Sequence, residues 1–179
     1  GETHGDSRTD LDDAHLVAAM ELLFFAYRDF VGDPDAILET RGFGRAHHRV
    51  LHFVGRNPGI TVQDLLGILR ITKQSLARVL RQLIDAGQVE QHTGTQDRRQ
   101  RHLYLTPGGS ALWDALQAPQ KIRLARAFAA AGPEAEAGWR QVMDAMLDRA
   151  SRNELHHRGP ETGGVRTAAG PAVDGTRDE

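Results

Sequence analysis

Three arginines, Arg98, Arg99 and Arg101, crowd into the polar stretch "TGTQDRRQRHLYLT" (93–106) around a single acid, Asp97. Upstream of them, Lys73, Gln74, Arg78 and Arg81 recur at helical spacing, with Thr72 and Ser75 at the head of the run. Fixed cations, an amide that both donates and accepts, and a carboxylate able to steer a neighbouring guanidinium are suited to holding a polyanion and reading its edges. Catalytic patterns are missing. The chain has no cysteine, no G-x-S-x-G, no H-E-x-x-H and no Gly-rich phosphate loop, so the expectation is a binding protein and not an enzyme, with no cofactor.

Charge is segregated in a way the net value of −2 conceals. Residues 1–40 hold ten acids against Arg8 and Arg28, a balance of −8; residues 70–105 hold seven cations against Asp85, Glu90 and Asp97, a balance of +4. A polyanion responds to the local field, and the field around 70–105 is positive. No apolar run reaches the ~18 residues that would span a bilayer, and no charged-then-apolar leader is visible, so the chain is read as cytoplasmic and not membrane-bound. The absence of cysteine removes disulfides and thiol redox sensing.

The histidines raise a metal reading. His48 and His52 stand four apart, a spacing that lets two imidazoles on one helix share an ion. Residues 107–150 hold neither histidine nor cysteine to complete such a site, so structural roles are the expectation and a metal-responsive regulator using His48 and His52 is kept as an alternative.

The elements that must position these residues follow from local signals. Residues 10–31 read as a helix capped by Asp10, which "GDPD" (32–35) ends, and 43–55 as a second. Thr61 with Asp64 opens a short amphipathic helix. After a tight break at Arg70 and Ile71, Thr72 caps another, whose Leu76, Val79, Leu80, Leu83 and Ile84 face inward while Lys73, Gln74, Ala77, Arg78 and Arg81 face outward. Gly87 stands at the position that closes this helix. Alternating residues at 88–93 and 101–105, joined by polar residues, predict a hairpin. Thr106 and Pro107 start a long helix with a kink or break expected at Pro119, and Pro133 starts the last one. Residues 1–9 and the Gly/Pro/Thr/Arg-rich 153–179 are expected to be disordered.

Two short helices, a tight turn, a longer helix and a hairpin outline a winged helix-turn-helix. The expected fold is mainly α with a small β-hairpin wing, comprising a winged helix-turn-helix plus a helical dimerisation region. A hairpin after a recognition helix can place its tip over the adjacent minor groove, where Arg99, held bidentately by Asp97, would enter. "TKQS" (72–75), Asp97-Arg98-Arg99 and "LYLT" (103–106) together resemble the DNA-binding region of MarR-type bacterial transcription regulators. The region that holds these motifs, residues 60–109, covers about a third of the chain, and the helix order extends the resemblance over roughly residues 10–150. Arg70 departs from it, standing where the family often has glycine.

The resemblance implies one domain at 10–152. Its DNA-binding lobe would lie at about 43–106, and its dimerisation helices at about 10–31 and 107–152. It implies a nucleoid-associated homodimer on a pseudo-palindromic double-stranded operator, with a small-molecule effector in a cleft between dimer helices and lobe. Leu11, Phe24, Phe25, Leu112, Trp113, Leu116, Ile122, Phe128, Trp139, Met143 and Met146 form more apolar surface than one small domain readily hides, in keeping with a dimer. The rival function is an architectural DNA-binding protein without effector.

Overall fold

The structure is a computed structural model in which residues 7–157 are described, with side chains for 12–155. The order is α1 (Ser7–Gly32), α2 (Asp35–Thr40), α3 (Arg45–Arg56), β1 (Ile60–Thr61), α4 (Val62–Leu69), α5 (Lys73–Asp85), β2 (Val89–Thr93), β3 (Arg101–Leu105), α6 (Pro107–Ala131), α7 (Pro133–Met146) and α8 (Arg149–His157). Three threonine hydroxyls set the boundaries that matter for the site. Thr61 accepts from the Asp64 N–H at 3.1 Å, Thr72 from the Ser75 N–H at 3.1 Å, and Thr106 from the Gly109 N–H at 3.0 Å. Each satisfies an otherwise open helix donor and so starts α4, α5 or α6.

The end of α5 is equally determined. Gly87 takes φ 73°, its N–H donates to Ile84 and the Gln88 N–H to Leu83, the paired bonds of a Schellman closure that needs a left-handed residue. The chain is thereby turned into β2. Strands order as β1-β3-β2, all antiparallel, with Val89 opposite Leu105 and Ile60 opposite Leu103. Beneath the sheet, Val50, Leu51 and Val54 of α3, Leu65 of α4, and Leu76, Val79 and Leu83 of α5 pack with Val89 and Leu103 into the core, joined by Leu112 and Leu116 of α6. Gly109 is required by close approach, since a Cβ there would overlap the Gln88 carbonyl.

Two units divide after Glu136. In the second, Arg152 of α8 donates to the Asp144 and Leu147 carbonyls at 2.9 and 3.2 Å, tying α8 to the end of α7.

Several expectations change. The first helix starts at Ser7, so Asp10 lies inside it and is not its cap. Pro119 breaks nothing: α6 is continuous through it. The ring removes one donor to the Ala115 carbonyl, and Ala115 is exposed, where water can replace that donor. Beyond the proline, Gln120 donates to the Phe30 carbonyl and Arg123 grips Asp33 with bonds of 2.6 and 2.8 Å. Leu112 and Leu116 belong to the core and cannot serve a dimer surface. The last expected helix is two helices, with residues 149–157 in α8, so the start of the expected disordered tail is helical. The rest of that tail and residues 1–6 lie outside the described residues.

Candidate nucleic-acid interface

At 100° per residue the buried face of α5 (Leu76, Val79, Leu80, Leu83) and its polar face lie on opposite sides, leaving Lys73, Gln74, Arg78 and Arg81 exposed. At the N-terminus the Thr72 hydroxyl donates to Ser75 Oγ at 2.9 Å while accepting the Ser75 N–H. Its proton is committed, so of the two hydroxyls that of Ser75 is the one left to donate to a phosphate, beside the open N–H groups of the first turn.

The wing tip, residues 94–100, is pinned from inside. The Gly94 N–H donates to the Gln100 carbonyl at 2.9 Å and the Gln100 N–H to the Asp97 carbonyl at 3.1 Å. The Asp97–Arg99 contact exists, with a different geometry from the bidentate pair expected. One oxygen, Asp97 Oδ1, accepts the Arg99 backbone N–H at 3.0 Å and Arg99 Nε–H at 3.3 Å. The aspartate thus shapes the turn and restrains the root of the guanidinium. The Arg99 side chain is 92% exposed and Arg98 is exposed beside it.

Between α5 and the wing lies an open cleft of about 1010 Å3. Lys73 and Arg81 line one wall, Asp97, Arg99 and Arg101 the other, with Leu76, Leu80 and Ile84 in its floor. Gln74, Arg78 and Arg98 stand outside the cleft. The structure therefore separates the site residues into those lining a channel of net positive charge, which Asp85 also borders, and an exposed crest. Sequence reading missed Gln63, Gln91 and Gln100 in the cleft wall; the strand alternation that places Gln91 beside Arg101 was available as a signal.

Two of the α3 histidines, His47 and His52, have structural partners. His47 of α3 is buried; its Nδ1 accepts the Gly44 N–H at 3.0 Å, so Nε2 carries the proton and donates to Gln82 Oε1 at 2.6 Å, linking α3 to α5. His48 and His52 line a second cavity of about 480 Å3 with Tyr27, Phe30, Arg45, Arg49 and Gln120 among its other walls. Burial holds the His48 imidazole below its ordinary pKa, partly opposed by Asp35, and Trp113 Nε1 donates to His52 Nδ1 at 3.4 Å. Among the described residues no group of three His, Asp or Glu side chains could hold a metal ion, and none of the described helices is long and apolar enough to cross a membrane.

Comparison with known proteins bears on this geometry. The family model described as MarR family matches residues 41–100, the span from the end of α2 to the wing tip. The chain is 50% identical over 152 residues to the HTH-type transcriptional regulator PetP of Rhodobacter capsulatus, covering 85% of this chain and 92% of that protein. The chain belongs to the MarR family. Solved MarR-family structures share its fold: a transcriptional regulator from Silicibacter pomeroyi has a TM-score of 0.60 at 21% identity, covering 75% of this chain and 89% of that one. A MarR mutant from E. coli complexed with operator DNA has a TM-score of 0.59 at 19% identity, covering 75% and 96%.

In this MarR-family chain the tight turn before α5 is made by an arginine. Arg70 adopts the left-handed conformation, φ 51° and ψ 42°, the one non-glycine positive φ among the described residues. A non-glycine residue in that conformation carries a backbone cost on the order of 1 kcal/mol.

Proposed function

We propose that this protein is a sequence-specific DNA-binding transcriptional regulator that acts as a homodimer. It presents α5 to a major groove and the wing to the adjacent minor groove. The observation that carries the reading is the cleft between them, with Lys73 and Arg81 facing Arg99 and Arg101 across a space of about 1010 Å3. A sugar-phosphate strand running through it would meet cations on both sides, while Gln74 and Arg78 on the crest reach base edges. The names of PetP as a transcriptional regulator and of the MarR complex with operator DNA support it.

A second copy is supported by apolar surface. Along α1, Leu16, Met20, Leu22, Phe24, Phe25 and Tyr27 are all more than half exposed, as are Val142 and Met146 of α7. An exposed apolar face of that extent on α1 marks an interaction surface, and an isologous pair would cover it. The cavity of about 480 Å3, with aromatic walls and with Arg49 beside the Arg45–Asp35 ion pair, suits a small aromatic anion as effector.

The experiment is duplex binding by fluorescence anisotropy, with sedimentation in parallel. Gln74→Ala or Arg78→Ala should cost about 1–3 kcal/mol and relax preference at particular base pairs, whereas Lys73→Ala or Arg81→Ala should weaken all sequences alike. Sedimentation at micromolar concentration should give twice the 19.7 kDa chain mass. A folded monomer, or uniform losses for all four variants, would count against the reading. Thermal-shift screening with phenolic acids tests the effector; silence throughout would favour a regulator or architectural protein without one.

A further inference from the structure

Thr93 and Arg101 are partners at the last strand pairing before the wing tip. One step further out, the Gly94 N–H donates to the Gln100 carbonyl at 2.9 Å, making 94 and 100 the hydrogen-bonded step. Thr93 and Arg101 then form a non-hydrogen-bonded pair, the type that brings cross-strand side chains closest. Arg101 Nη1 donates to Thr93 Oγ1 there at 2.8 Å.

Alternation puts this pair on the same face of the hairpin as Gln91 and Leu103. Both Gln91 and Arg101 line the cleft that faces α5. Arg101 thus enters a space bordered by Lys73, Arg81 and Arg99 and by the carboxylates of Asp85 and Asp97, so cations and acids pull on its guanidinium from several sides and its direction is set by the bond it makes. That bond comes from a neutral hydroxyl. A carboxylate at 93 would hold Arg101 too, but would cancel the charge that a phosphate needs. Thr93 restrains direction and leaves the full positive charge available.

We propose that Thr93 is a positioning residue for DNA binding: its hydroxyl keeps Arg101 aimed into the cleft, where a phosphate would pass between α5 and the wing. This rests on Arg101 touching DNA, as in the function proposed above.

The test uses the full chain and a duplex that the wild type binds, titrated with salt. Thr93→Val keeps a β-branched residue suited to a strand and removes the hydroxyl; Thr93→Ala is the second hydroxyl-free variant, and Thr93→Ser restores the group. Thr93→Val and Thr93→Ala should weaken binding about three- to tenfold, the scale of a hydrogen bond to a charged group repeated in two wings. Thr93→Ser should bind like wild type. Arg101→Ala should weaken binding and flatten the slope of log K against log salt by roughly 0.9 for each phosphate it no longer neutralises, and adding Thr93→Val to Arg101→Ala should change nothing further. If Arg101→Ala leaves affinity and slope untouched, Arg101 does not touch DNA and the proposal fails with that reading. If Arg101→Ala weakens binding while Thr93→Val and Thr93→Ala match wild type, the proposal alone is overturned. The same holds if Thr93→Val costs as much without Arg101 as with it, or if Thr93→Ser fails to restore binding.

Discussion

Replacing Asp97 by alanine sets two opposing electrostatic effects against each other in one substitution. The carboxylate lies at the tip of a wing that approaches DNA, so deleting it removes a repulsion. For a phosphate about 8 Å away in water that is roughly 0.5 kcal/mol before screening, and about 0.2 kcal/mol at a Debye length of ~8 Å. Against this, Asp97 Oδ1 accepts both the backbone N–H of Arg99 at 3.0 Å and its Nε–H at 3.3 Å. Losing a turn-forming bond and an exposed pair costs about 0.5–1 kcal/mol of preorganisation per wing. Over two wings the balance is a net loss of about 1 kcal/mol, or roughly fivefold weaker binding. The assay is anisotropy at ~0.15 M salt, with circular dichroism showing an unchanged fold. Asp97→Asn keeps an oxygen for the Arg99 N–H while removing the charge, and should stay within about twofold of wild type. Tighter binding by Asp97→Ala would refute the steering role, and with a silent Arg99→Ala it would reduce the wing tip to a solvated loop.

Gly109→Ala should destabilise the fold by on the order of 2–3 kcal/mol, because the new methyl meets the Gln88 backbone and not a movable side chain; a thermal melt unchanged from wild type would show that the two segments can separate freely. Arg70→Gly should raise stability by up to about 1 kcal/mol, roughly 2–4 °C in Tm, by relieving the left-handed backbone at φ 51°, and a fall in Tm would mean that the Arg70 side chain contributes more than the strain costs. Burial holds the His48 pKa below its ordinary 6.5, so the unfolded chain binds this proton more readily than the folded one. His48 therefore favours folding fully above pH 6.5 and progressively less as pH falls through the folded value. His48→Gln should flatten that part of a Tm-versus-pH curve, and an unaltered curve would assign the acid sensitivity to other groups.

Much of the site was legible because its signals are local. The hydroxyl caps at Thr61, Thr72 and Thr106, the glycine closing α5 and the alternation of the hairpin each involve residues within a few positions of one another, and the structure keeps all of them. What escaped depends on distant parts of the chain. Two-residue β1 has no period to detect and exists through its pairing with β3. Six-residue α2 is too short for an amphipathic pattern. Pro119 reads locally as a breaker, yet Gln120 and Arg123 anchor the far half of α6 to Phe30 and Asp33, 90 positions away. Leu112 and Leu116 carry the same apolar signal whether they face a core or a second copy, and their helix composition alone could not decide between the two. In the candidate interface the cationic residues were visible as types and spacing, whereas the single-oxygen geometry at Asp97 and the tether from Thr93 to Arg101 depend on side-chain directions that spacing does not encode.

The central claim, that the α5 crest and the wing together read double-stranded DNA as a two-fold unit, is tested most directly by selecting duplexes from a random library with the purified protein and sequencing those retained at ~0.15 M salt. The expected outcome is an enriched pseudo-palindrome with half-site centres about one helical turn, ~10 bp, apart, whose preferred bases lose their enrichment at defined positions when the selection is repeated with Gln74→Ala or Arg78→Ala. A library that stays random, or a single unrepeated half-site, would contradict it.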